Sequence, residues 1–113
     1  MALALNVFKT ITKVATTSPV GIYTAPVGYS GVMLLAQVTN VDPSPHTISF
    51  SHKRSIAGIA VTTEILKDFA IPANDSANLL SGKLVLESND VLVLSADTSS
   101  GIKFIGSILE TLN

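Results

Sequence analysis

The stretch that decides the fold is "IPANDSANLLSGKLVLESNDVLVLSA", residues 71–96, where blocks of leucine and valine alternate with polar residues. Asparagine tolerates a positive φ better than any residue except glycine, so Asn74 with Asp75, and Asn89 with Asp90, predict turns. The second pair predicts a tight hairpin that joins "GKLVLES" (82–88) to "DVLVLSA" (90–96). The polar residues therefore indicate corners between β-strands.

The rest of the chain follows the same pattern. Valine, isoleucine, threonine and leucine occur in short runs that Pro, Gly, Asn and Asp interrupt at roughly 8 to 12 residues, the spacing of a β-sandwich or barrel. The strands are predicted at residues 5–14, 21–25, 31–39, 46–52, 59–70, 78–86, 90–96 and 102–110. The loop "NVDPSPH" at 40–46 contains two prolines, which a sheet ladder excludes.

One segment is ambiguous. Residues 59–69, "IAVTTEILKDF", fit one face of a helix as well as a strand, but the β-branched residues and the following Pro72 favour the strand. We therefore predict an all-β, single-domain antiparallel β-sandwich, jelly-roll-like, with about eight strands over residues 1–113. Residues 1–19 are interpreted as an N-terminal arm or edge strand used in subunit contacts.

Two predicted strands are apolar on both faces: "GVMLLAQV" at 31–38 and "DVLVLSA" at 90–96. Such strands lie centrally in a sheet, or a neighbouring subunit covers their outer face. With a mean hydropathy of +0.51, an isolated monomer would expose apolar patches that soluble monomers rarely tolerate. The pattern predicts a homo-oligomer, such as a trimer or ring.

Composition argues against several partners and chemistries. The chain has seven basic and eight acidic residues, so it has no electrostatic footprint for nucleic acid or an anionic membrane. It contains no cysteine, which excludes disulfides, thiolate metal sites and a cysteine nucleophile. The start, "MALALNVFKT", has no basic residue before its apolar run, so no export signal is expected. The run "GVMLLA" is too short to span a bilayer as a helix.

Candidate reactive residues are few. His46 and His52 flank one strand and would lie about 20 Å apart, too far to bind one metal ion. The basic cluster "SHKRS" at 51–55 fits a phosphate or carboxylate, but a solvated loop explains it more simply. Four aspartates fall in predicted turns, where their side chains can bond nearby backbone N–H groups: Asp42, Asp75, Asp90 and Asp97. We predict no catalytic, cofactor-binding or metal-ligating residue, no cofactor and no enzymatic activity.

Four segments together resemble a known family: "GIYTAPVGYSGVMLLAQVTNVD", "HTISFSHKR", "FAIPANDSANLLSGKLVLESNDVLVLSA" and "IKFIGSILE". They are similar to small virion structural proteins of tailed bacteriophages, particularly T4-like phages of marine cyanobacteria, over roughly residues 20–110. The matching positions are Tyr23, Thr24, Pro26, Gly28, Asn40, Ile71, Pro72, Ala73, Asn74, Asp75, Leu84, Leu86, Glu87 and Asp90. Asn89 stands where the family has glycine, and the backbone demand is similar.

The resemblance implies a β-sandwich subunit located in the virion, on the capsid, neck, tail or baseplate. Our leading hypothesis is a non-enzymatic virion structural protein that self-associates and docks on other virion proteins, with capsid decoration or cementing as one such role. The alternative is a receptor- or carbohydrate-binding module of a tail fibre, because jelly rolls also serve as lectin domains. Against it, the chain has no tryptophan, and Tyr23 and Tyr29 lie in turn segments. An enzyme is the third hypothesis.

Overall fold

The protein is described here by a computed structural model that covers residues 6–113. These residues form two antiparallel sheets, which confirms the predicted all-β sandwich. The nine strands of this part of the chain are β1 (Asn6–Val14), β2 (Val20–Thr24), β3 (Tyr29–Asn40), β4 (His46–Ile56), β5 (Ile59–Ile71), β6 (Ser76–Asn78), β7 (Leu84–Leu86), β8 (Val91–Ala96) and β9 (Ile102–Leu112). Residues 1–5, which include the predicted start of the first strand, lie outside the described part. Within residues 6–113 no helix has the length and apolar character that a membrane span requires.

Sheet A has the strand order β1-β9-β3-β6, with β7 also paired to β3, and sheet B has the order β2-β8-β4-β5. If β6 and β7 are counted as one interrupted strand, eight strands form two four-stranded sheets, as in a jelly roll. The segment 59–69 is a strand, as the threonines and β-branched residues indicated. The apolar strands β3 and β8 both lie inside their sheets, as expected.

The core lies between the two sheets because inward and outward side chains alternate along each strand. In β9, Phe104 and Ile108 are buried whereas Lys103 and Ile105 are exposed. The rings of Phe50 on β4 and Phe104 approach across the sandwich, with centroids 5.9 Å apart. This contact joins sheet B to sheet A at the centre of the molecule.

Three turns share one geometry, in which the third residue has a positive φ. These residues are Gly28 at 84°, Asn74 at 59° and Asn89 at 71°. Each turn is closed by a hydrogen bond from the backbone N–H of its fourth residue to the carbonyl of its first. These bonds run from Tyr29 to Pro26 at 3.1 Å, from Asp75 to Pro72 at 3.2 Å and from Asp90 to Glu87 at 3.0 Å. The predicted corners at Asn74 and Asn89 are therefore confirmed, and Gly28 occupies the second corner of its turn.

The hairpin predicted between residues 82–88 and 90–96 is wrong. β7 pairs with β3 in sheet A, whereas β8 pairs with β2 and β4 in sheet B. The turn at Asn89 instead pairs with Ala25: the Asn89 N–H donates to the Ala25 carbonyl, and the Ala25 N–H donates to the Asp90 carbonyl. The turn residues predict that the chain changes direction, but they do not predict which sheet the following strand joins.

The strand predicted at 78–86 is also wrong, because two short strands replace it. β6 pairs with residues 37–39 of β3, and β7 pairs with residues 31–33. Between these contacts the register of β3 shifts around Leu34. Leu79 turns into the core and its N–H donates to the Ala36 carbonyl at 2.8 Å. The irregularity in β3 thus lies at the break between β7 and β6.

The strand predicted at 46–52 continues to Ile56 and turns directly into β5. Ala57 and Gly58 both have a positive φ, 51° and 81°, as a two-residue type I′ hairpin turn requires. β8 pairs only with residues 48–53 of β4. Residues 54–61 therefore form an overhang, in which β4 reaches about 10 Å beyond β8.

Candidate interaction surface

The outer face of sheet A carries four apolar side chains in one line across four strands, here called the sheet A row. Phe8 on β1 lies opposite Leu109 on β9, Leu109 lies opposite Val32 on β3, and Val32 lies opposite Val85 on β7. Phe8 is 75% exposed and Val85 is 58% exposed. Neighbouring positions on one face of a sheet have Cβ atoms close enough to form a continuous surface. The row is thus one apolar stripe that faces solvent.

Further apolar side chains widen this face. Leu35 on β3 and Ile105 on β9 are also exposed. Beyond the sheet A row, Ser30 lies opposite Thr111, so small hydroxyl side chains border it. Exposed apolar patches with a polar margin are common at protein interaction sites.

The outer face of sheet B has a different chemistry. It forms a groove of about 600 Å³. Hydroxyl and charged side chains dominate its lining, which includes Ser49, Ser51, Lys53, Glu64, Lys67 and Asp68. No aromatic side chain lines this groove, so it lacks the stacking platform that sugar-binding sites commonly use.

His46 bridges two loops rather than standing alone at a strand end. Its Nε2 lies 2.7 Å from Asp42 Oδ2, and its Nδ1 lies 2.8 Å from Asp97 Oδ1. Both ring nitrogens can donate only when the imidazole is doubly protonated. The hydrogen bond with Asp42, followed by that with Asp97, accordingly raises the pKa of His46. The cluster ties the loop after β3 to the loop after β8.

Asp90 is a buried carboxylate with several partners, although it also occupies a turn as predicted. Its oxygens accept hydrogen bonds from Arg54 Nε at 2.9 Å and Nη2 at 2.6 Å, and from the Glu87 N–H at 2.9 Å. His52 Nε2 lies 3.0 Å from the same carboxylate. The Arg54 hydrogen bonds hold the pKa of Asp90 well below its usual range, and Asp90 raises the pKa of Arg54.

These contacts correct the interpretation of residues 51–55 as a solvated loop. The segment belongs to β4, and Arg54 points towards Asp90 rather than into solvent. Asp42 and Asp97 likewise bind His46 rather than only their own turns. Asp75 behaves as predicted, because its Oδ1 accepts the N–H of Ser76 at 2.8 Å.

A third polar contact links the sheets. Tyr23 on β2 donates its hydroxyl to Glu110 Oε2 on β9 at 2.5 Å, and Lys9 Nζ lies 3.2 Å from Glu110 Oε1. Glu110 is buried. Burial, and secondarily the hydrogen bond with Glu110, raises the pKa of Tyr23. Tyr23 is therefore a structural cross-link rather than an exposed aromatic platform.

None of these clusters is arranged as a metal centre. Among residues 6–113, no three histidine or carboxylate side chains are grouped so that they could hold a metal ion. Asp42, Asp90 and Asp97 instead pair with basic side chains across loops and between strands. The sheet A row was not identified from the sequence, because its members come from four strands whose pairing is set by the fold.

No protein-family profile and no curated protein matches the chain. Solved structures do share its fold. A chain of the infectious bursal disease virus particle aligns with a TM-score of 0.59 and 9% identity, over 97% of this chain and 32% of that chain. A chain of the Gx strain of the same virus aligns with a TM-score of 0.58 and 13% identity, over 96% of this chain and 32% of that chain.

A chain of the capsid of Helicobacter pylori bacteriophage KHP30 aligns with a TM-score of 0.51 and 11% identity, over 96% of this chain and 89% of that chain. The present chain thus spans about a third of the length of the bursal disease virus chains and most of the phage capsid chain. At these identities the likeness establishes the fold. The chain is a jelly-roll-like β-sandwich of the type found in viral particles.

Proposed function

We propose that this chain is a non-enzymatic structural protein of a virion that assembles by placing the outer face of sheet A against neighbouring subunits. The observation that carries the proposal is the sheet A row, which leaves Phe8 and Val85 largely exposed in the single chain. Burying a side chain of this size contributes about 1.5 to 3 kcal/mol. A neighbouring subunit that covers the row would gain this contribution from several side chains at once.

Three further points support a virion role. The fold is shared with chains of two viral particles, although fold alone does not assign function. The segments quoted above resemble structural proteins of tailed phages, in particular T4-like phages of cyanobacteria. The polar clusters of the described residues connect loops and sheets to one another, which fits a structural role. Capsid decoration, cementing, and neck, tail or baseplate roles all fit this proposal.

The alternative, a carbohydrate-binding module of a tail fibre, has less support. The groove on sheet B lacks aromatic side chains, and the Tyr23 hydroxyl donates its hydrogen bond to Glu110. Glycan-array binding by the purified protein would favour this alternative.

Localisation in the particle tests the proposal. The chain, tagged at its C-terminus, would be expressed during infection by the virus that encodes it, and purified particles would be imaged with a label against the tag. We expect regular labelling at one repeated position. Purified particles that contain none of the protein would contradict the proposal.

A further inference from the structure

We propose that a second copy of this chain pairs antiparallel with the free edge of β5 at residues 59–63, the first three of which belong to the overhang. The contact would be two-fold symmetric about Val61 and would join two copies of sheet B into one continuous sheet. It lies on a different sheet from the sheet A row, and it does not depend on the virion role.

The free edges of the two sheets differ in how well they are protected. Exposed sheet edges are normally protected by charge, proline, bulges or shortness. β1 carries Lys9 and Lys13, β2 has five residues with an irregular register, and β6 and β7 have three residues each. β5 has irregular register between residues 64 and 69. Only residues 59–63, "IAVTT", lack every one of these protections among the described edges.

The side chains of the overhang present apolar surface to solvent. Arg54 and Ile56 lie opposite Val61 and Ile59, and the Arg54 side chain is drawn to Asp90 on the inner side of sheet B. Ile56, Ile59 and Val61 therefore share that inner side. They are 58, 69 and 47% exposed, whereas Ile48 and Phe50, further along the same side of β4, are fully buried. The overhang is an apolar surface that sheet A does not cover.

The hydrogen-bonding pattern of the β4–β5 hairpin determines which backbone groups of β5 face the free edge. In a two-residue hairpin the pair next to the turn, here Ile56 and Ile59, is hydrogen-bonded, and the pairs then alternate. The backbone groups of Ala60 and Thr62 consequently point away from β4, towards the free edge. In a two-fold pairing about Val61, Ala60 of one copy faces Thr62 of the other, twice. In this register the backbone N–H and C=O groups of Ala60 and Thr62 in each copy all form hydrogen bonds with the other copy.

The free edge of β5 is compatible with the same edge of a second copy. In this register Val61 faces Val61 and Ile59 faces Thr63, so β-branched side chains oppose one another, a favourable combination in sheets. The nearest charged residue of β5, Glu64, would face Gly58, so no like charges meet. The Arg54–Asp90 contact holds the overhang in place before the partner arrives, which reduces the ordering cost of association.

The size of this contact predicts its strength. A five-residue edge buries much less than the roughly 1,600 Å² of a standard stable interface. The pairing is thus weak between free chains and becomes strong when other contacts hold the same two copies together.

Single-cysteine cross-linking tests the proposal, because the chain has no cysteine of its own. At the central, non-hydrogen-bonded pair the Cα atoms lie about 4.5 Å apart, within the range that a disulfide bridges. In Ile59→Cys the two sulfurs would be displaced by four residues, about 13 Å along the strands. Both positions are exposed, so the two variants are matched in accessibility and in location on β5.

Under mild oxidation at high protein concentration, we expect Val61→Cys to form a disulfide-linked dimer at least tenfold faster than Ile59→Cys. Equal rates for the two variants, or no dimer from Val61→Cys, would overturn the proposal. Unchanged circular dichroism and melting temperature establish that each variant is folded. A Val61→Cys dimer from a protein that is absent from virions would sustain this inference while contradicting the proposed function.

Discussion

Arg54 donates two hydrogen bonds to the carboxylate of Asp90, from Nε at 2.9 Å and from Nη2 at 2.6 Å, although the two residues are 36 positions apart in the chain. Arg54 lies in the overhang, and Asp90 ends the turn that delivers the chain to β8. The pair therefore fixes the direction of the β4–β5 hairpin relative to the sandwich.

Substitution of Asp90 by Asn should destabilise the protein, because Arg54 and His52 lose a buried anionic acceptor. We expect the melting temperature at neutral pH to fall by about 5 to 10 °C, which corresponds to a loss of about 1 to 2.5 kcal/mol. Asp68→Asn, the same chemical change at an exposed carboxylate, should shift it little. A double variant Arg54→Met/Asp90→Asn that is less destabilised than the sum of the single variants would confirm that the two residues interact.

The same pair predicts a response to acid. Because the pKa of Asp90 is lowered in the folded state, its stabilising contribution is present above its unfolded pKa, near 4, and is lost as the pH falls below that value. Thermal melts of the wild type and Asp90→Asn should therefore begin to converge as the pH falls below about 4, and they should coincide only when the pH reaches the lowered pKa of Asp90. A constant difference between them down to lower pH would contradict this assignment.

The contribution of His46 to stability should depend on pH in the opposite direction. Its pKa is raised by Asp42 and Asp97, so its contribution is complete below the unfolded histidine pKa, about 6.5, and is lost as the pH rises through the raised value. The stability difference between wild type and His46→Gln, measured by chemical denaturation, should be largest in mildly acidic buffer and should shrink at higher pH. A difference that grows with pH would be inconsistent with an imidazolium between two carboxylates.

Ala57 has a positive φ of 51°, which costs about 1 to 2 kcal/mol for a residue other than Gly, Asn or Asp. Ala57→Asn creates the Asn-Gly pair that type I′ turns favour. We expect a gain of about 1 kcal/mol in the free energy of unfolding, measured by denaturant titration. Ala60→Asn, three residues along in β5, should give no gain because asparagine is disfavoured in strands. Destabilisation by Ala57→Asn would refute the turn geometry.

Tyr23→Phe removes one hydroxyl and leaves the buried Glu110 with Lys9 as its remaining side-chain partner. The expected loss is about 1 to 2 kcal/mol in the free energy of unfolding. Because burial and Glu110 raise the pKa of Tyr23, a near-ultraviolet titration of the wild type should show one tyrosine that ionises only at more alkaline pH. If this late ionisation persists in Tyr23→Phe, the assignment is wrong.

The sequence predicted those features that depend on local chemistry. Asn74 and Asn89 have the positive φ that their residue type allows, and the β-branched residues of 59–69 form a strand. It did not predict pairings between distant segments. The carboxylate of Asp90 has a partner 36 residues away, and residues 84–86 join sheet A while residues 91–96 join sheet B. The hairpin at Ala57 was missed because alanine rarely occupies such a turn.

The sequence predicted that an isolated chain would expose apolar surface, but it did not predict where. The further hypothesis that another subunit covers this surface stays a prediction. The positions of Phe8 and Val85 on one face follow from the register of β1, β9, β3 and β7, which pairs segments that are far apart in the sequence.

The central claim, that the sheet A row is buried against other subunits, is tested most directly by sedimentation velocity of three proteins at micromolar concentration. These are the wild type, Phe8→Ser/Val85→Ser, and the control Val27→Ser, which removes an equally exposed apolar side chain from the turn at residues 26–28. We predict that the wild type and the control associate, and that the double variant, with unchanged circular dichroism, associates about a hundredfold more weakly. A monomeric wild type, or a double variant that associates as strongly as the wild type, would contradict the claim.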